Sequence, residues 1–138
     1  MSELVRFGVS LENELLKQFD KHIKKENYSS RSEAIKDLIR KALIKQEWIE
    51  GKNVAGTITF VYDHHRRELV SRLIDIQHNF HDLVISSQHV HLDHNNCLEI
   101  IAAKGSPEKI KTLASKIKSS KGVKDCHLSM TTIAKNIE

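Results

Sequence analysis

Seven of the nine histidines fall between His64 and His94, and Cys97 follows three residues later. Composition offers no bland reason for such crowding, and imidazole is both a common metal ligand and the side chain that titrates near neutrality. A local metal or proton site is therefore the first chemistry to consider. The sharpest pattern is His89-Val90-His91, the turn-rich Asp93-His94-Asn95-Asn96, and then Cys97-Leu98-Glu99. Imidazole and thiolate together disfavour calcium and magnesium and point to zinc, copper or nickel. Three nitrogens and one sulfur suit tetrahedral zinc or square-planar nickel(II) or copper(II), and ligand chemistry leaves that choice open.

A His-x-His pair on a strand is often only a surface pair. Register lifts this one above that reading. Pairing Val90 with Leu98 in a hairpin would set His91 beside Cys97 and His89 beside Glu99, with cross-strand neighbours about 4.5 to 5.5 Å apart. Val90, Leu98 and Ile100 are expected on the helix-covered face, and the three metal-capable groups on the uncovered one. The fourth ligand is expected from His78, beside Gln77, ahead of His81 and His94. Glu99 would orient a ligand from behind. His22, His64, His65 and His127 read as ordinary surface histidines. Cys126 neighbours His127, but adjacent strand residues face opposite ways, so it reads as packing.

The elements that must position these groups lie after residue 55. The β-branched and aromatic run over 57–62 predicts a strand, and 66–80 a helix with Leu69, Leu73, Ile74 and Ile76 towards a core. Residues 83–92 and 97–103 form the hairpin. Pro107 starts a second helix carrying Ile110, Leu113, Ala114 and Ile117, Gly122 closes it, and 123–132 is the last strand. This βαββαβ order is the ferredoxin-like (ACT-type) arrangement, an α+β class with helices on one sheet face and the other free to meet a subunit. Residues 51–55 form a linker and 56–138 the sensing domain.

Residues 1–50 read differently. Val5, Phe7 and Val9 alternate with Arg6, Gly8 and Ser10, a half-buried strand with a polar outer face. A helix over 12–25 carries Leu15, Leu16, Phe19 and Ile23, and a second begins where Ser30 and Glu33 make a capping box. Its stripe is Ala34, Ile35, Leu38, Ile39, Ala42 and Leu43. One strand and two helices cannot close a core around that strand, so its partner must come from a second copy. The resulting ribbon, with Arg6, Gly8 and Ser10 repeated on its exposed face, fits the DNA major groove.

Bulk properties agree with an anionic partner. The 138 residues carry a net charge of +4, although seven lysines between Lys104 and Lys124 supply much of the excess and can simply solvate a surface. Hydrophobic residues at 39% and charged residues at 29%, both signs mixed, describe a folded chain and not a disordered tail. No apolar run approaches the roughly 20 residues that span a bilayer, and the opening residues lack a secretory stretch, so a cytoplasmic location is expected. Two cysteines make a disulfide framework a poor expectation there.

Two motifs together resemble the nickel-responsive ribbon-helix-helix repressors of the NikR family along nearly the whole chain. One is Tyr28-Ser29-Ser30-Arg31-Ser32-Glu33-Ala34-Ile35, the inter-helix turn; the other is Gln77-His78, His89-Val90-His91 and Asn96-Cys97-Leu98-Glu99. The resemblance implies a homotetramer built as a dimer of dimers, with one Ni2+ per subunit in a square plane. His89, His91 and Cys97 would come from one subunit and His78 from its neighbour. It implies repression at a symmetric operator, with nickel-uptake genes the family's usual target. Arg6, Gly8 and Ser10 map to base readers and Ser29, Arg31 and Ser32 to phosphate contacts. Gly8 stands where the family often has a hydroxyl residue, so operator sequence is expected to differ. Ser10 could also cap the first helix. In the family, carboxylates matching Glu33 and Asp37 help hold a hard cation when DNA is bound; the plainer reading is a solvated acidic face beside Lys36, Arg40 and Lys41.

Two rivals remain at this level. In a zinc or copper metalloenzyme, His89, His91 and Cys97 would hold the ion and Glu99 would act as base, but a DNA-reading front domain argues against an enzyme. An antitoxin-type ribbon-helix-helix regulator would answer to a protein partner instead, and usually lacks a folded, histidine-rich rear domain.

Overall fold

The computed structural model describes residues 3–138, which divide into two compact units, one running to Leu43 and including Ala134–Glu138, the other Ile44–Ile133. The division falls inside a helix. In the first unit, α1 (Asn13–Lys25) and α2 (Arg31–Glu50) are joined by a turn in which Asn27 takes a positive φ of 60°. Ser30 Oγ accepts from the Glu33 amide at 3.1 Å, as the capping box requires. The other half of the box is spent elsewhere, because Glu33 Oε1 takes Lys36 Nζ at 3.0 Å. The chain end returns to this unit, where Arg40 Nε donates to the Ile137 carbonyl at 3.1 Å.

The strand expected over 4–10 is not formed in the single chain: residues 3–12 carry neither helix nor strand. A strand exists through a partner's amides and carbonyls, and this unit contributes no second strand among its described residues. Val5, Phe7 and Val9 are 80%, 68% and 56% exposed, and Leu38, Ile39 and Leu43 are exposed as well. Val5, Phe7 and Val9 line one groove with Leu16, Phe19 and Ile35, but Arg6 lines it too, so the single chain does not separate an apolar from a polar face here. Only Ala34 among this unit's described apolar residues is fully covered. About 43 residues cannot bury enough surface to be stable alone, which is the physical demand for a second copy.

The second unit is a four-stranded antiparallel sheet in the order β2-β3-β1-β4, built from β1 (Val54–Asp63), β2 (Val84–His91), β3 (Asn96–Gly105) and β4 (Val123–Met130). Two helices, α3 (Arg67–Asn79) and α4 (Pro107–Lys118), complete the βαββαβ order. Ser106 caps α4 by accepting from the Lys109 amide at 3.3 Å, with Pro107 at the first helical position. Gly122, at φ 103°, turns the chain into β4.

Alternate residues of β1, namely Val54, Ile58, Phe60 and Tyr62, are buried with Leu69 and Leu73 from α3 and Ile110, Leu113 and Ile117 from α4. Ile74, expected in that core, is 61% exposed. Leu69, Leu73, Ile76 and Phe80 recur at helical spacing and take the buried stripe, which turns Ile74 outward. The end of α2 belongs to the second core. Trp48 is 3% exposed and its indole donates to the Thr131 carbonyl at 2.8 Å. No helix among the described residues is long and apolar enough to cross a membrane.

Candidate metal centre and DNA interface

The β2–β3 ladder pairs His89 with Glu99, Val90 with Leu98 and His91 with Cys97. That register is the one expected from the apolar pattern. The face is not. Cys97 and Glu99 are 2% and 1% exposed and lie on the side of β3 that carries Ile101 and Ala103 into the core, whereas Leu98 and Ile100 are half-buried on the other side. Because Asn96–Gly105 is apolar on both faces, alternation alone could not orient it, and a small, soft cysteine packs as readily as an aliphatic side chain.

Directly opposed residues share a face, so His89 and His91 lie on the helix side with Cys97 and Glu99. They stay open because β2 is the sheet's edge strand; the His89 side chain is 55% exposed. The arrangement is a rim: a buried thiol and carboxylate on the inner strand, two imidazoles at the margin.

Glu99 is the best-connected group there. Tyr62 Oη donates to its Oε1 at 3.0 Å and Gln77 Nε2 to its Oε2 at 2.7 Å, while His89 Nδ1 stands 3.5 Å from Oε1 and 3.4 Å from Tyr62 Oη. Burial first, then the Glu99 charge and hydrogen bond and finally Cys97, push the Tyr62 phenol far above its ordinary value. It therefore remains a donor throughout the physiological range. Tyr62 and Gln77 were not singled out from sequence as site residues. The usable signal was their position, since Tyr62 pairs with Cys97 across β1–β3.

Other histidines fall into two groups. His78, in the last turn of α3, has its ring 6.0 Å from that of His81, whose Nδ1 lies 3.0 Å from the His78 carbonyl. His64, read from sequence as ordinary, sits edge-on to His91 at 5.0 Å and against His65 at 4.2 Å, while His65 lies 5.2 Å from His94. The Nδ1 of His64 is buried without a hydrogen-bond partner among the described residues. Desolvation, then the His65 and His91 rings, lower its basicity. Within the single chain no three His, Cys, Asp or Glu groups among the described residues converge on a common point. Cys126 packs against the core with its Sγ 3.8 Å from the Ala114 carbonyl, and burial pushes its thiol up. His127 is tied to Asp125 at 2.8 Å, and the His22 ring lies 6.2 Å from Tyr28.

In the first unit Arg6, Gly8 and Ser10 are all exposed, and a Cβ on Gly8 would meet nothing within 4 Å. Ser29, Arg31 and Ser32 cluster at the start of α2, all exposed. The Arg31 side chain, expected on phosphate, is engaged by Asp20 of α1 through two 2.9 Å hydrogen bonds. Glu33 is held by Lys36; Asp37 is held by Tyr28 and by Lys41 at 2.9 Å. The Tyr28 hydrogen bond first and then Lys41 keep the Asp37 carboxyl below its ordinary range.

A two-helix front unit with an exposed leading segment that carries Arg6, followed by a ferredoxin-like domain bearing a His/Cys rim, defines a ribbon-helix-helix DNA-binding protein with a metal-sensing module. Residues 5–46 match the ribbon-helix-helix protein, copG family, and residues 55–131 the NikR C-terminal nickel-binding domain. A nickel-responsive regulator from Syntrophus aciditrophicus is 58% identical over 133 residues, covering 96% of this chain and 97% of that protein. Another from Chlorobaculum tepidum is 58% identical over 132 residues, covering 96% and 98%, and one from Nitratidesulfovibrio vulgaris is 49% identical over 138 residues, covering 99% of each. An uncharacterised protein from Thermotoga maritima, 15% identical with a TM-score of 0.50, shares the fold over 59% of this chain and 98% of its own. The chain belongs to the nickel-responsive regulator family of ribbon-helix-helix proteins.

Proposed function

We propose that this chain is a nickel-responsive transcriptional repressor whose metal-loaded form binds a symmetric operator, with nickel-uptake genes as its target. The single observation that carries the reading is the β2–β3 register, which sets His91 beside Cys97 and His89 beside Glu99 on one face, in a chain whose front unit is a DNA-reading ribbon-helix-helix. The donor set of imidazoles and a thiolate fits nickel, copper or zinc and excludes hard cations as preferred guests. Nickel follows from the family.

His89, His91 and Cys97 would be ligands from one chain, and His78 from a neighbouring one, with one Ni2+ per subunit of a homotetramer arranged as a dimer of dimers. Supporting this division, His78, His89 and His91 are all exposed, and within the single chain no three ligand-capable groups meet among the described residues. The bound ion would supply a fixed bond between subunits. A ligand shared across chains stabilises the packings in which all four groups meet, and so biases where the two ribbons sit. The protein's own part is orientation. With Nδ1 of His89 turned to Glu99, Nε2 is left for the metal, and Glu99 is itself pinned by Tyr62 and Gln77.

At the DNA, Arg6 would read guanine through its planar fork, Ser10 would contact a neighbouring base, and Gly8 would let the backbone approach. Ser29 and Ser32, with the free amides opening α2, would hold phosphate. Glu33 and Asp37 could take a cation only by releasing Lys36 and Lys41.

The decisive experiment titrates operator binding against nickel, copper and zinc for the wild type, His89→Ala and Cys97→Ala. The reading expects nickel to tighten wild-type binding strongly and both variants to lose that response while keeping their fold. DNA affinity indifferent to every metal would overturn it.

A further inference from the structure

The pair that joins α1 to α2 has a consequence for how the protein meets DNA. Arg31 is the first residue of α2, and Asp20 lies in the middle of α1. Nε donates to Oδ1 and a terminal guanidinium nitrogen to Oδ2, both at 2.9 Å, the parallel fork that matches guanidinium to carboxylate. A cation in the first turn of a helix opposes the positive end of the dipole, so Arg31 is electrostatically misplaced unless an anion answers it. Asp20 is that anion. Its carboxyl is held below its ordinary range by the Arg31 hydrogen bond above all.

The same turn carries the donors that an incoming phosphate would meet. The Ala34 amide is taken by the Ser30 carbonyl and the Glu33 amide by Ser30 Oγ, which leaves the amides of Arg31 and Ser32 as the unclaimed donors at this helix start. Nε and one terminal nitrogen of Arg31 are spent on Asp20, which leaves only the other terminal nitrogen outside the pair. We infer that Asp20 is a positioning residue for operator binding: through Arg31 it holds the first turn of α2 so that the Arg31 and Ser32 amides meet the phosphate, while the Arg31 side chain serves as an inter-helix strut. This rests on the DNA-binding reading above.

The test uses the full-length, nickel-loaded protein and measures operator affinity across a salt series. The variants are Asp20→Asn, the charge-neutral pair Asp20→Asn with Arg31→Gln, and the conservative Asp20→Glu. Loss of the strut should weaken binding roughly fivefold in the first two, the upper range for an exposed ion pair. The salt slope should stay unchanged, because no phosphate contact is removed. Asp20→Glu, which keeps a carboxylate for the guanidinium, should retain most of the affinity. Circular dichroism confirms that the helices form in each.

A slope that falls by about 0.9 per subunit in the neutral pair would make the Arg31 side chain a phosphate ligand and overturn the proposal. So would tighter binding by Asp20→Asn, a loss in Asp20→Glu as deep as in Asp20→Asn, or wild-type affinity in all three. Absence of binding by the wild type itself would instead defeat the functional reading.

Discussion

Glu99 is 1% exposed and accepts hydrogen bonds from Tyr62 and Gln77, so replacing it probes the frame behind the proposed site directly. Glu99→Ala removes the acceptor and leaves both donors in place. The orphaned hydroxyl of buried Tyr62 costs about 1 to 3 kcal/mol before the vacated volume is counted, whereas the half-buried Gln77 amide can turn to water. Relief of a buried charge offsets part of this, but only where its partners leave as well. Against a typical total of about 5 to 15 kcal/mol the loss is appreciable, and melting should fall by roughly three degrees or more. Adding Tyr62→Phe removes one orphan and should return about 1 to 3 kcal/mol. Glu99→Gln keeps the volume and an acceptor, so its fold should survive, while nickel affinity drops about 10- to 100-fold as His89 loses its anionic partner. Urea unfolding at fixed protomer concentration and competitive nickel titration measure the two effects. If Glu99→Ala unfolds within about 0.5 kcal/mol of the wild type, the size of a neutral surface change, the network holds nothing and the reasoning is refuted.

Further outcomes follow from other parts of the molecule. Cys97→Ala should remove thiolate-to-nickel absorption while leaving the sheet intact by circular dichroism; persistence of the band would place the sulfur elsewhere. Gly8→Thr meets open space, so stability should be unchanged while operator preference shifts, which selection of binding sites from random duplexes reads out. Gly122→Ala is expected to cost more than 1 kcal/mol, because φ is 103° and the new Cβ would approach Arg66 and Leu69 at 2.6 and 2.8 Å; an unchanged melting curve would contradict it. Asp93, lowered from its ordinary 3.8 by the Asn96 side chain and the Asn95 and Asn96 amides, stabilises the hairpin turn only while ionised. Its contribution is full above 3.8 and fades as pH falls through the lower folded value, so Asp93→Ala should be destabilised at neutral pH and converge with the wild type in acid.

How much was legible in advance depended on how local the cause was. The helix over 12–25 and the Ser30 cap are matters of a few neighbouring residues, and they appear as Asn13–Lys25 and the Ser30 hydrogen bond. The strand expected over 57–62 appears as Val54–Asp63, beginning inside the stretch expected to be linker, and the Pro107 start of α4 was readable. The register His91 to Cys97 was legible because Val90 and Leu98 admit one matching pair. Arg31 paired with Asp20 was not, since the two lie eleven residues apart on different helices.

By itself, then, the sequence determined which elements form, which residues oppose one another in the hairpin, and which donor chemistry they bring. These follow from backbone periods and side-chain types, which do not require a view of distant segments. Tertiary structure decided which way the hairpin faces, because Leu98, Ile100, Cys97 and Ile101 are all apolar enough to be buried and only α3 and α4 choose between them. It likewise decided that Tyr62 and Gln77 meet on Glu99 and that His64 lies against His91, contacts set by strand order and not by spacing along the chain.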